Sequence, residues 1–393
     1  MVAYDFDEQI DRIGTACFKY DGRGHVFQNP DVLPLWVADM DFATPSFIIE
    51  RIRKRCQHPV LGYTFRDDEY HAAIRWWYAQ RHGWSIDTGW IDFCPGVVSG
   101  LNHAIRAYTQ PGDAIIIQPP VYHPFFSTVE NNGRKLVLNP LRNNGEGYYT
   151  MDLQHLETLA QQGAKMLIIS SPHNPVGRVW TRDELLALGG ICQRYGLIVV
   201  SDEIHSDLVF AGHKHIPMAS LSDDLAQRTI TFASASKTFN IAGLSSGFAI
   251  IPNKELRLRY QRELEASGAG MGNLFGIEAV KAAFSPQGEA WLGELLRYLA
   301  GNIDFVERFV AERLPQLRFR RPGGTYLLWL DFGSLGITDK QLNELLQQSA
   351  GVGFNAGSGF GVEGHCFQRI NVACPQSTVR EALERVAAAL EVR

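Results

Sequence analysis

Short β-branched runs alternate with longer amphipathic stretches through the middle of the chain. The runs predict strands at residues 114–118, 165–170, 197–201, 229–233 and 247–251. They are apolar at nearly every position, which suits strands buried on both faces. Helical patterns lie between them. In the pattern at 181–195, Thr181 is a candidate N-cap and Glu184 completes a capping box. Apolar strands separated by helices predict an α/β fold with a mostly parallel sheet covered by helices. Such sheets bind ligands beyond the carboxyl ends of their strands.

After Pro286 the pattern changes. A long helical stretch at 289–314 precedes a strand at 326–332, a helix at 340–349, a strand at 368–372 and a final helix at 377–390. This predicts a smaller α+β domain at 286–393. A large domain spans 46–285, and the loop-rich segment 1–45 packs with the small domain.

Composition removes several function classes. The 393 residues are 45% hydrophobic and 20% charged, with a net charge of -5. No basic surplus exists to meet a nucleic-acid backbone. No stretch approaches the about 18 apolar residues of a membrane span. The start of the chain, MVAYDFDEQIDRIG, is acidic and unlike a secretory leader. The six cysteines form no C-x-x-C pair. Free thiols, no metal site and a cytoplasmic location are therefore expected.

Polar residues end four of the apolar runs. Asn174 follows the run at 165–170 in Ser-Pro-His-Asn-Pro, and alone reads as a turn residue. Asp202 ends the run at 197–201. A carboxylate there needs a cation or hydrogen bonds, or else it caps the next segment. Lys237 follows Ser234 and Ser236, which are candidates for phosphate binding or for capping. A partly desolvated lysine serves as an amine nucleophile or base, although most lysines are solvated surface groups. Arg369 sits in an apolar strand and calls for an anion, from a substrate or from within the chain.

In order and spacing, Asn174, Asp202, Lys237 and Arg369 resemble the class I/II aminotransferase family of fold-type I pyridoxal-5′-phosphate (PLP) enzymes, over nearly the whole chain. The resemblance implies the PLP-dependent transferase-like fold. It implies that Lys237 carries the cofactor as a Schiff base, that Asp202 pairs with the pyridine nitrogen, that Asn174 meets the phenolic oxygen, and that Arg369 binds the substrate α-carboxylate. Pro95-Gly96-Val97-Val98-Ser99-Gly100 resembles the family's phosphate loop, Tyr122 its ring-stacking aromatic, and Tyr63 the tyrosine that reaches the neighbouring subunit's phosphate. A homodimer with shared sites follows. Trp36-Val37-Ala38-Asp39-Met40-Asp41-Phe42 is similar to a signature of the cystathionine β-lyase and cystalysin-like branch, which places Trp36 and Val37 at the substrate. His205 stands where the aspartate aminotransferase pattern has Tyr, and Ser245 where it has a phosphate-binding Arg. The branch implies a C–S β-lyase acting on L-cystathionine or related cysteine S-conjugates. The alternatives are an aminotransferase of an L-amino acid, or a regulatory protein that binds a partner on the same fold.

Overall fold

The computed structural model describes residues 4–392; residues 1–3 and 393, the outer ends of the expected terminal segments, lie outside them. A seven-stranded sheet forms the centre. Its strands are β1 (Ile91–Cys94), β2 (Ala114–Ile117), β3 (Lys135–Leu138), β4 (Met166–Ser170), β5 (Ile198–Asp202), β6 (Thr229–Ser234) and β7 (Gly247–Ile250). The spatial order is β1-β7-β6-β5-β4-β2-β3. Strands β3, β2, β4, β5 and β6 pair in parallel.

Strand β7 runs antiparallel to both of its neighbours, with Phe248 opposite Ala233 on one side and Phe93 on the other. An apolar run carries no direction. The segment between β6 and β7 holds only a three-residue 3₁₀ turn, Ala242–Leu244. That is too little for the helical crossover that returns a chain in parallel. Two sheet members, β1 and β3, lie outside the predicted strands. Strand β3 is an edge with exposed ends and β1 carries Asp92, so neither reads as a buried apolar run.

Helices cover both faces. Helix α1 (Val97–Tyr108) buries Leu101, Ala104 and Ile105. Helix α2 (Arg182–Tyr195) starts with the expected capping box, in which Thr181 and Glu184 satisfy each other's backbone N–H, and it ends at Gly196 with φ 67°. Beyond it, α3 (Pro286–Arg313) begins three residues before the expected start. Ser285 caps it, and Pro286 suits a first-turn position where no backbone donor is needed.

A second sheet is wholly antiparallel. It joins β8 (Arg318–Phe319), β9 (Leu327–Asp331), β10 (Asn355–Ala356) and β11 (Phe367–Asn371) in the order β8-β9-β11-β10. The final helix, α4 (Gln376–Glu391), packs against α3. The N-terminal segment joins this region: Leu33 and Pro34 pair in parallel with Val352 and Gly353, and the Asp41 N–H donates to Ala373 O. One apolar cluster runs from Trp77 and Phe239 through Phe284 and Trp291 to Leu327 and Leu383.

Candidate active site

Parallel registry brings the polar strand ends together. Ser170 is opposite Asp202, and Asp202 is opposite Phe232, so β4 and β5 end at one level and β6 runs two residues further, to Ser234. A cavity opens there, lined by Ala38, Gly96, Val97, Val98, Ser99, Tyr122, Ser170, Asn174, Asp202, Ile204, His205, Ser234, Ser236, Lys237, Ser245 and Ser246. Lys237 stands on a rigid turn. The next residue, Thr238, donates its hydroxyl to Asp207 at 2.9 Å. Phe239 is fully buried, stacked on Trp291 at 5.5 Å and edge-on to Trp77 at 5.7 Å. The lysine amine donates to Ala38 O at 2.7 Å.

The cavity sets unusual proton affinities. Burial pushes the Asp202 carboxyl up to about 7, against one hydrogen bond from the Ile204 N–H and the charge of Lys237. No ion pair to Asp202 forms among the described residues. Burial brings the Lys237 ammonium down to about 8; Arg369 pushes the same way, while Asp39 and Asp202 oppose it. His205 is held neutral, its pKa lowered to about 3 by burial and by the cations Lys237 and Arg369. Such opposed shifts in one hollow are the mark of a site built around charge.

These residues fit a pyridine ring with a phosphate arm. A protonated ring nitrogen would restore the charge of Asp202. At the other end, α1 presents its first turn with no side-chain cap, a favourable place for an anion. The buried Ser246 Oγ there has no partner. The Ser234 hydroxyl, in contrast, is already used: it donates to Ser246 O and accepts from the Ser236 N–H. Ser245, in place of the arginine, lines the cavity with a φ of 48°, leaving the anion to backbone amides and hydroxyls.

Arg369 is buried behind the cavity. Its guanidinium donates to Asn174 Oδ1 at 3.2 Å, Trp36 O at 2.9 Å and Asn355 Oδ1 at 2.5 Å, and lies over the Phe360 ring. All of these partners are neutral and Nε has none. The internal ion pair considered from sequence is thus not formed among the described residues. A buried cation held only by neutral groups is free to pair with an anion.

Besides Arg369, three expected residues stand apart from the cavity lining. The Trp36 ring packs on Phe27 and Phe18 and its Nε1 donates to Lys19 O, so only its carbonyl reaches Arg369. Val37 offers its carbonyl to Asn371. Tyr63 is 96% exposed beside Leu61, Gly62 and Met271. Ala38, Ile204, Ser170, Ser246 and Asn355 were not anticipated, nor was Tyr326, whose hydroxyl donates to Ala38 O at 2.9 Å. No pattern of side-chain types marks Ala38, because the contact is made by a backbone oxygen.

The comparisons with known proteins agree with this geometry. A family model described as aminotransferase class I and II matches residues 30–386. The chain is 43% identical over 387 residues to a cystathionine β-lyase of Bacillus subtilis (strain 168), covering 98% of this chain and 100% of that protein. Cystalysin from Treponema denticola, solved with a pyridoxal 5′-phosphate cofactor, superposes with a TM-score of 0.95 at 38% identity, covering 99% of both chains. A PLP-bound C–S lyase from Staphylococcus hominis superposes with a TM-score of 0.92 at 33% identity, covering 99% of this chain and 98% of that one.

Proposed function

The chain belongs to the class I and II aminotransferase family, and from that premise we propose that it is a PLP-dependent C–S β-lyase. Its substrates on this reading are L-cystathionine or related cysteine S-conjugates. The observation that carries the site assignment is the shared cavity of Asp202 and Lys237.

Bound PLP supplies an electron sink for the charge left on the substrate Cα when its proton departs. Lys237 would carry the cofactor, and its amine would take the Cα proton. An amine with a pKa near 8 is poised for both tasks near neutral pH. Asp202 would hold a proton on the ring nitrogen, and Tyr122 and Asn174 would hold the ring in place. His205, kept neutral, adds no competing charge beneath it. Gly96, Val97, Val98, Ser236 and Ser246 receive the phosphate. Arg369 grips the α-carboxylate and so orients Cα toward Lys237. Sulfur would then leave as the thiolate, the electron pair left at Cα forming a Cα–Cβ double bond as the Cβ–S bond breaks. The remaining three-carbon enamine takes up water to give pyruvate and ammonia, so cystathionine yields homocysteine.

The assembly is read as a homodimer in which Tyr63 completes the partner's phosphate site. Its support is the exposed apolar group of Leu61, Tyr63, Phe65 and Met271. Among the described residues no helix is long and apolar enough to cross a membrane. The six free thiols suit a reducing cytoplasm. Residues 1–45 with 286–393, and residues 46–285, are read as two domains that meet at the cavity.

The deciding assay supplies L-cystathionine without any keto acid. Thiol and pyruvate released in equal amounts are expected. Turnover that demands a keto-acid acceptor and frees no thiol would contradict the lyase reading in favour of transamination.

A further inference from the structure

The stretch from Trp36 to Met40 runs past the site, with Ala38 in the cavity lining, and each of its carbonyls is held. Trp36 O accepts from Arg369, Val37 O and Asp39 O accept from Asn371 Nδ2, and Met40 O accepts from Asn240 Nδ2. Ala38 O accepts from both the Lys237 amine and the Tyr326 hydroxyl. The carboxylates on either side of Met40 are held from the N-terminal segment. Arg12 reaches Asp39 at 2.6 Å and Asp41 at 2.5 Å. Lys19 is completely buried, with its amine 2.7 Å from Asp41 and 3.7 Å from Asp39. Trp36 Nε1 ties down the backbone of Lys19 itself.

This cluster balances two carboxylates with two cations, next to the residue whose carbonyl meets the reactive lysine. The charged groups that act on the Lys237 amine are Arg369, Asp39 and Asp202, and the neutral ring of His205 lines the same cavity. Asp39 favours the charged amine, opposing burial. Left unbalanced, it would do so more strongly.

We propose that Arg12 and Lys19 are positioning residues for Lys237: they hold the Ala38 carbonyl at the lysine amine and stop Asp39 from locking that amine in its charged form. Nothing about the cluster requires contact with substrate. Its effect passes through the backbone of residues 38–41 and through the local field. The inference rests on Lys237 being the lysine that carries PLP.

The test is a pH titration of the visible cofactor absorbance in purified holoenzyme, with a thermal melt of each variant. Arg12→Gln and Lys19→Met are expected to raise the titration midpoint by about one pH unit, and Asp39→Asn to lower it. Arg12→Lys is expected to restore the wild-type midpoint. A purely structural staple predicts lower melting temperatures in every variant with no midpoint shift, and that result would overturn the proposal. Arg12 and Asp39 are only partly buried, so their opposed shifts decide the matter even if Lys19→Met does not fold. A wild-type protein with no visible band would overturn both this proposal and the reading beneath it. A band with unmoved midpoints would overturn this proposal alone.

Discussion

Asp202 and Lys237 each depart from ordinary proton affinity because burial disfavours the charged form of both. The consequence for stability has a definite sign. The Asp202 carboxyl is raised from 3.8 to about 7, so protein stripped of cofactor gains its full benefit below pH 4 and loses it as pH rises through 7. An amide in its place cannot titrate. Urea unfolding of stripped protein should therefore show Asp202→Asn gaining on the wild type between pH 4 and pH 7, by at most about 4 kcal/mol. A difference that stays flat across that range would contradict the assigned burial of the carboxyl. At this scale the polar cavity-lining residues were legible because they stand at or just beyond the ends of apolar runs. Ala38 and Tyr326 were not. One acts through a backbone oxygen and the other through a hydroxyl at the start of an ordinary apolar strand, and neither leaves a mark in a pattern of side-chain types. Trp36 shows the converse: a conspicuous aromatic whose ring is used for packing.

The elements that carry the site were read from hydrophobic period, and β2, β4, β5, β6 and β7 fall within a residue or two of their expected bounds. Direction was not legible, as β7 shows, because pairing depends on the path of the connection. Short strands with a charged or exposed member, β1 and β3, escaped for the same physical reason: they are not buried on both faces. The phosphate end depends on how closely α1 approaches the sheet. A Cβ on Gly100 would meet both Cys94 Sγ and the Phe232 ring at 2.6 Å, and both of those residues are fully buried. Alanine gains about 1 kcal/mol of helix propensity, but overpacking there costs about 1–3 kcal/mol and displaces the first turn. Gly100→Ala is expected to lower thermal stability and to weaken PLP binding, measured by fluorescence titration. Unchanged affinity would show that the first turn does not contact the phosphate.

For the whole molecule, the arrangement joins distant parts of the sequence at one hollow: Ala38, the helix start at 96–99, residues 174, 202 and 237 at or just beyond the strand ends, and Arg369 behind them. The exposed Tyr63 region then predicts a dimer. Sedimentation of the purified protein at micromolar concentration should give twice the chain mass, and a stable monomer would contradict the shared site. The cofactor attachment itself is the claim on which the mechanism turns. Reduction of the holoenzyme with borohydride, digestion and peptide mass spectrometry test it most directly. A pyridoxyl mass increment on the peptide carrying Lys237, and on no other, is the predicted result. The increment on a different lysine, or none on a coloured protein, would contradict it.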